Sequence, residues 1–282
     1  MTHISFLSDF GLRDEFVGVV HGVIARIAPD VPVLDVGHEF PRGDIRAAAL
    51  GLARAVQYIP EGVALAVVDP GVGTARRAIC VRTEWGHFIG PDNGLLAPAV
   101  AMVGGADRIV SIENPEVQLP GPGATFHGRD LFAPAAAVIA SRQANIDELG
   151  PEVDKDAVVP LMIPLVEHHD ESVLGEVLWV DHFGNAQTNV APADLTSIGV
   201  DEGDDVVMHI GAGEFRVTWV KAYGEVAEHE GLVHTDSYGQ IAVAVRGGAA
   251  TEEFPVDERV AVRFSRPAGG NRIEIQGVNP EV

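Results

Sequence analysis

The sequence predicts a mixed α/β chain: an α/β layered domain with a largely parallel sheet over residues 1–165, then a small antiparallel β-barrel over residues 171–282. Three observations predict it. Residues 1 to about 150 alternate between short runs that are apolar on both faces and stretches with apolar residues at helical spacing, the pattern of strands buried between helix layers. Residues 151–170, PEVDKDAVVPLMIPLVEHHD, carry three prolines and no clear period, and read as a linker. Beyond them the runs shorten, alternate polar with apolar, and are separated by Gly and Asp, as in a small barrel or sandwich.

The elements follow in order. HISFLSD (3–9) is a buried strand ending on Asp9, and Phe16, Val19, Val20, Val23, Ile24 and Ile27 then recur at helical spacing until Pro29 stops them. VPVLDV (31–36) is a second strand. Asp44 is suited to cap a helix through Ile45, Ala48, Leu52 and Val56 that ends before Pro60. VALAVVD (63–69), AICVRT (78–83) and HFIG (87–90) are three more strands, the last leading through the turn PDNG into a helix; RIVSIE (108–113) and a helix starting near Arg129 complete the domain. In the second half VLGEVLWVD (173–181), DVVMHIG (205–211), EFRVTWV (214–220), QIAVAV (240–245) and RVAVRF (259–264) are the strands. Trp85, Trp179 and Trp219 lie in strand-like segments and read as core or interface residues.

A chain of 282 residues can bury a full core. Its one cysteine, Cys80, excludes a disulfide framework and a cysteine-based zinc site, and reads as a small buried hydrophobe in a strand. The N-terminus MTHISFLSDFG has neither a charged lead nor an apolar h-region, and no apolar run reaches the roughly 18 residues of a membrane span, so a soluble, cytoplasmic protein is expected. A net charge of −22 and only 19 basic residues argue against nucleic acid as a partner, because few cations are available to displace counterions. Only Lys155 and Lys221 of those 19 are lysines, and an acidic, lysine-poor surface predicts a halophilic source, whose salt would screen the self-repulsion.

The stretch that carries chemistry is VVDPGVGTARRAI (67–79), where an apolar run ends on Asp69, turns through Pro70–Gly73 and returns with Arg76 and Arg77. A phosphate cradle is unlike it: the spacing and lysine of G-x-x-x-x-G-K-[ST] are missing, and G-x-G-x-x-G fails at its last glycine. A hard cation wants six or more oxygens, and only Asp69 is at hand. The metal loop stays a rival, but the rest of the domain favours a site that sets one carboxylate against one guanidinium. Functional groups in α/β sheets gather beyond the carboxyl ends of strands, and Asp9 and Asp69 both sit there, with Asp14 in the loop SDFGLRDEF, Asp92 in PDNG and His127 in TFHGRD nearby in the pattern. His168-His169-Asp170 has metal-ligand chemistry, but in a linker-like segment no metal is expected.

Seven blocks in order, SDFGLRDEFVGVVHGVI, LDVGHEFPRGDIRAAA, VVDPGVGTARRA, GPDNGLL, TFHGRDLFAPAAA, VDHFGNAQTN and DSYGQIAVAV, resemble the S-adenosyl-L-methionine hydrolases (hydroxide adenosyltransferases), relatives of the fluorinase and chlorinase enzymes. The resemblance spans nearly the whole chain. It implies an N-terminal α/β domain, a C-terminal β-barrel, and a homotrimer with sites between the α/β domain of one subunit and the barrel of the next. It implies S-adenosyl-L-methionine as substrate rather than cofactor, with no cofactor and no metal, and adenosine as a product. The family's catalytic Asp-Arg-His set falls on Asp69, Arg76 and His127, and its ribose-holding carboxylate on Asp9. Asp14, Asp181 and Ser237 match contacts to the methionine end; Phe183 and Asn185 match residues around the adenine. Tyr238 stands where the halogenases place an arginine on the substrate carboxylate, VDHFGN is one residue shorter than its halogenase counterpart, and Arg77 beside Arg76 leaves two candidates for one role, with Arg76 preferred on spacing. The halogenases carry tyrosines at the positions of Asp69 and His127, so the resemblance favours hydrolysis over halogenation.

The implied reaction is attack of water on C5′ of the sulfonium. The leaving group is a neutral thioether and needs no acid, so the demand falls on aligning the water and accepting its proton. Either Asp69 or His127 could be that acceptor, with Arg76 orienting the oxygen. The rival readings are a halide-dependent halogenase, a metal-dependent nucleoside hydrolase, and a sensor that holds the ligand unchanged.

Overall fold

The computed structural model describes residues 2–267, which fall into two compact units divided between Met162 and Ile163. The first unit contains β1 (Ile4–Ser8), α1 (Phe16–Ile27), β2 (Val33–Gly37), α2 (Ile45–Val56), β3 (Val63–Val67), β4 (Ala78–Arg82), β5 (His87–Pro91), α3 (Ala97–Met102), β6 (Arg108–Ser111) and α4 (Ala133–Ala140). Its six strands form one sheet in the order β2-β1-β3-β5-β4-β6. β2, β1, β3 and β5 are parallel neighbours, and β4 alone runs against its two partners. The predicted largely parallel sheet is therefore present, with one reversed strand.

Both faces of the inner strands are covered, so β1 and β3 are buried along their whole length, while the edge strand β2 is partly exposed. In β3, Val63, Leu65 and Val67 face the core that α1 and α4 complete, while Ala64 and Ala66 alternate into the core of α2 and α3. Asp44 caps α2 as expected, accepting from Ala47 N–H at 3.0 Å, an interaction worth about 1 kcal/mol. Cys80 is fully buried in β4, and burial pushes its thiol far up from its ordinary value, leaving it inert.

Two expectations change here. The helix foretold near Arg129 begins as a π-turn over Gly128–Phe132, in which Ala133 N–H bonds back to the Gly128 carbonyl five residues earlier, and only then becomes α4. Trp85 lies in the turn between β4 and β5 rather than in a strand, stacked on Phe88 with ring centroids 5.2 Å apart.

The second unit contains β7 (Glu167–His169), β8 (Ser172–Val180), β9 (Ala186–Thr188), a short α5 (Pro192–Ser197), β10 (Asp205–Ile210), β11 (Gly213–Trp219), β12 (Gly231–Thr235), β13 (Ile241–Val245), α6 (Ala250–Glu253) and β14 (Ala261–Ser265). Seven strands close in the order β8-β14-β10-β11-β12-β13-β9 and back to β8, a barrel with β7 appended along β8. All pairings are antiparallel except β11 with β12. Alternate residues such as Val173, Val177, Val206, Met208, Val243 and Phe264 fill its interior. β7, β9 and β12 are strands the alternation did not reveal. On β7, His168 and His169 are consecutive and so point to opposite faces, which rules them out as a pair on one ion.

Candidate active site

β1 lies between β2 and β3 in the sheet, so the chain leaves it to one side and returns to the other. Such a switch point opens a crevice beyond the carboxyl ends of the two inner strands. Ser8, the last residue of β1, pairs with Val67, the last of β3, so Asp9, one residue beyond, and Asp69, two residues beyond, both emerge into one cleft of about 390 Å³. That cleft is also lined by Phe10, Arg42, Gly43, Phe126 and His127.

The loop after β3 folds back tightly. Val72 N–H bonds to the Asp69 carbonyl (3.2 Å) and Thr74 N–H to that of Gly71 (3.1 Å), while Thr74 Oγ1 donates to the same Gly71 oxygen (2.6 Å). Gly73 has φ +78°, and a Cβ there would also lie 3.1 Å from the Ala124 carbonyl, so glycine is needed on two counts. The turn returns Arg76 beside Asp69. Arg76 Nε donates to Asp69 Oδ1 (2.9 Å) and Oδ2 (3.1 Å), and Nη2 reaches Oδ2 as well. The same Nη2 sits 2.7 Å from His127 Nδ1. Both side chains of the ion pair are largely buried.

A guanidinium has only donors. His127 Nδ1 must therefore accept, which places the proton of the neutral ring on Nε2. Burial first, and then the Arg76 charge, lower the His127 pKa from its ordinary value; Asp69 and Asp130 pull the other way without reversing the shift. His127 is set at the start of the π-turn, where Gly128 allows Phe10 to pack: a Cβ on Gly128 would stand 2.8 Å from the Phe10 ring. π-turns of this kind are rare and gather at functional sites.

Arg77 goes elsewhere. It donates through Nε to the buried Asp92 at 2.8 Å and through Nη2 to the Ala157 carbonyl, while the other Asp92 oxygen accepts from Val159 N–H at 2.8 Å. Of the two arginines it is Arg76 that contacts Asp69 and His127, whereas Arg77 and Asp92 clamp residues 157–159. Asp9 accepts from Gly43 N–H at 2.7 Å and presents itself to the cleft. Asp14 is exposed in the loop before α1 and lines neither this cleft nor the one in the barrel.

The remaining predicted residues come together in the barrel unit. Asp181, Phe183, Asn185, Ser237 and Tyr238 line one cavity of about 490 Å³. Asp181 anchors its own loop: Oδ1 accepts from Phe183 N–H (2.9 Å) and Asn185 N–H (2.8 Å), and Oδ2 from Asn185 Nδ2 (2.9 Å). Phe183, on this turn, is 74% exposed. Trp179, Gln187, Tyr223, His234 and Asp236 line the same cavity and were not foreseen. Tyr223 and His234 lie ring on ring at 4.9 Å, joined by a 3.2 Å contact from the phenol oxygen to Nε2. Burial, and after it the charges of Asp181 and Asp236, push the Tyr223 phenol up, so it stays a neutral donor. Nothing in AYGEV announces that tyrosine, because its neighbour His234 is eleven residues away on β12.

The chain also matches known proteins along most of its length. Residues 4–150 match the SAM hydroxide adenosyltransferase N-terminal domain, and residues 175–263 the C-terminal domain of the same family. A protein of Salinispora tropica named (R)-S-adenosyl-L-methionine hydrolase is 46% identical over 253 residues, covering 88% of this chain and 92% of that one. One of the same name from Thermus thermophilus is 41% identical, covering 94% and 100%. The solved structure of an uncharacterized conserved protein from Thermotoga maritima superposes with a TM-score of 0.86 at 36% identity, covering 93% of this chain and all of the other. A match this extensive to both domains, with an Asp-Arg-His contact at the switch point of the sheet, places the chain in the SAM hydroxide adenosyltransferase family.

Proposed function

We propose that the protein hydrolyses S-adenosyl-L-methionine, in the (R)-sulfonium form for which its relatives are named, to adenosine and L-methionine. The observation that carries this reading is the guanidinium of Arg76 bridging Asp69 and His127, both of which line the crevice. A water oxygen attacks C5′ in line with the departing sulfur. The O–C5′ bond forms as the C5′–S bond breaks, its electron pair neutralises the sulfonium, and the water gives up one proton. No cofactor is needed, since the substrate carries its own leaving group.

The hydrogen-bond directions support one division of roles. His127, with Nδ1 occupied by Arg76 and its proton on Nε2, orients the water as a donor. Asp69 keeps one unfilled lone pair on Oδ1 after accepting from Arg76, and is the group that takes the proton. Arg76 locks the two in register. Asp9 holds the ribose hydroxyls, and the barrel cavity receives the adenine, with Phe183 and Tyr223 as stacking surfaces and Asn185 as a polar contact. Asp14, Asp181, Ser237 and Tyr238 serve the methionine end.

The decisive experiment is product identification from each sulfonium epimer, with and without chloride or fluoride. Adenosine and methionine from the (R) epimer in every buffer are expected. A 5′-halo-adenosine formed only with halide would establish a halogenase, and free adenine lost on chelation a metal-dependent nucleosidase.

The assembly we read from the family resemblance is a cytoplasmic homotrimer whose active sites each join the crevice of one subunit to the barrel cavity of the next. Among the described residues no helix is long and apolar enough to cross a membrane. Mixing two inactive variants, Asp69→Asn and Phe183→Ala, after dissociation and reassembly should restore part of the activity. Failure to recover any activity from mixed oligomers would exclude sites shared between subunits.

A further inference from the structure

Behind the crevice, a chain of polar side chains runs from the edge of the sheet to the base of the Asp9 loop. His21 Nε2 donates to Asp35 Oδ1 at 2.7 Å, and His38 Nε2 stands 3.0 Å from the same oxygen, close but off the line of a good hydrogen bond. His38 Nδ1 is 2.8 Å from Ser8 Oγ, which in turn accepts from Phe10 N–H at 3.4 Å. Ser8 is fully buried and the His38 side chain only 2% exposed, whereas Asp35 and His21 reach solvent. The His38 ring is tilted against Phe6 with centroids 4.6 Å apart, which fixes its plane.

One assignment of protons uses every group once. With Asp35 ionised, both Nε2 atoms carry hydrogen; the lone pair of His38 Nδ1 accepts the Ser8 hydroxyl; and the Ser8 oxygen is left to accept Phe10 N–H. Partial burial pushes the Asp35 carboxyl up, but the neighbouring His38 ring and the His21 hydrogen bond outweigh it and hold the group below its ordinary value, so the anion persists. The order Ser-His-Asp is that of a nucleophilic triad, yet a serine with no accessible surface cannot meet a substrate. The polarised hydroxyl faces the backbone instead.

His38 also acts through its main chain: its carbonyl accepts Gly11 N–H at 2.7 Å. The residue therefore grips the loop at Ser8, just before Asp9, and at Gly11, two residues after it. We propose that His38, backed by Asp35 and seated on Ser8, is a positioning residue that aims Asp9 into the crevice. The proposal rests on the reading of Asp9 as the ribose-holding carboxylate.

The test is a double-mutant cycle in the full-length enzyme, with kcat and KM for S-adenosyl-L-methionine measured on wild type, His38→Ala, Asp9→Asn and the double variant. His38→Ala should raise KM roughly tenfold, within the range of coupling between neighbours that share partners, with a smaller loss in kcat. It should add nothing in the Asp9→Asn background. His38→Asn, whose side-chain oxygen can replace Nδ1 as acceptor for Ser8, should recover most of the loss. Should His38→Ala not fold, Asp35→Asn at the exposed end of the chain takes its place in the cycle. Effects that multiply independently in the double variant would overturn the positioning role while leaving Asp9 its function. A wild-type KM for Asp9→Asn would instead overturn the ribose reading, and with it this one.

Discussion

A single nitrogen, Nη2 of Arg76, decides the chemistry available to its neighbours. Because it can only donate, its contact with His127 Nδ1 turns the imidazole into an acceptor on one side and a donor on the other. On the function proposed above the base is then Asp69, a choice the residue types alone leave open. His127→Gln, which keeps an N–H where Nε2 stood, should therefore retain a measurable fraction of kcat, while Asp69→Asn should lose about 10²- to 10⁴-fold with little change in KM. Equal losses would return the base role to His127. The lowered pKa of His127 sets the pH dependence. The folded state favours the neutral ring, so its contribution to stability is complete above the ordinary value near 6.5 and is lost as the pH falls through the folded value. Activity, which uses the neutral ring, should likewise hold at pH 6.5 and fall only below it; an acid limb centred above 6.5 would contradict the assignment.

At the scale of elements, the helices and inner strands were legible because one physical cause produced each. The stop at Pro29, the cap at Asp44 and the doubly apolar β3 leave few alternatives for α1, α2 and the sheet. β9 and β12 were not legible: Ala186–Thr188 is three residues long, and Gly231–Thr235 owes its place to pairing with β11 and β13 rather than to its own pattern. The π-turn escaped for a similar reason, since its extra residue is fixed by the contact of Gly128 with Phe10, over a hundred positions earlier in the chain. The stretch 151–170 read as a linker because its order comes from outside it, from the Arg77–Asp92 clamp on residues 157–159. Breaking that clamp isolates its purpose. Arg77→Ala strands a buried carboxylate, although the arginine is itself partly exposed, so a loss of about 2 kcal/mol is expected in urea unfolding, with kcat of the folded enzyme retained. A fall in kcat matching that of Arg76→Ala would mean that both arginines serve the chemistry.

For the whole molecule the dominant number is the charge: 41 acidic residues against 19 basic ones leave −22, on a chain with two lysines. The local structure does not neutralise this. Surface pairs such as Arg216 with Asp205 and Arg246 with Glu228 occupy arginines singly, and each is worth well under 1 kcal/mol. The uncompensated carboxylates repel one another over distances comparable to the Debye length, which shrinks from about 10 Å at 0.1 M salt to about 3 Å at 1 M. Folding concentrates those charges, so screening must favour the folded state. We therefore expect the urea midpoint to rise steeply between low salt and about 0.5 M KCl at constant m-value, the range in which screening does most of its work. Exclusion of salt from apolar surface would instead grow steadily with concentration and more strongly for sulfate than for chloride. A midpoint that is flat in KCl, or that rises only with sulfate, would show that the acidic surface is tolerated in dilute buffer and that no salt-rich interior is needed to explain it.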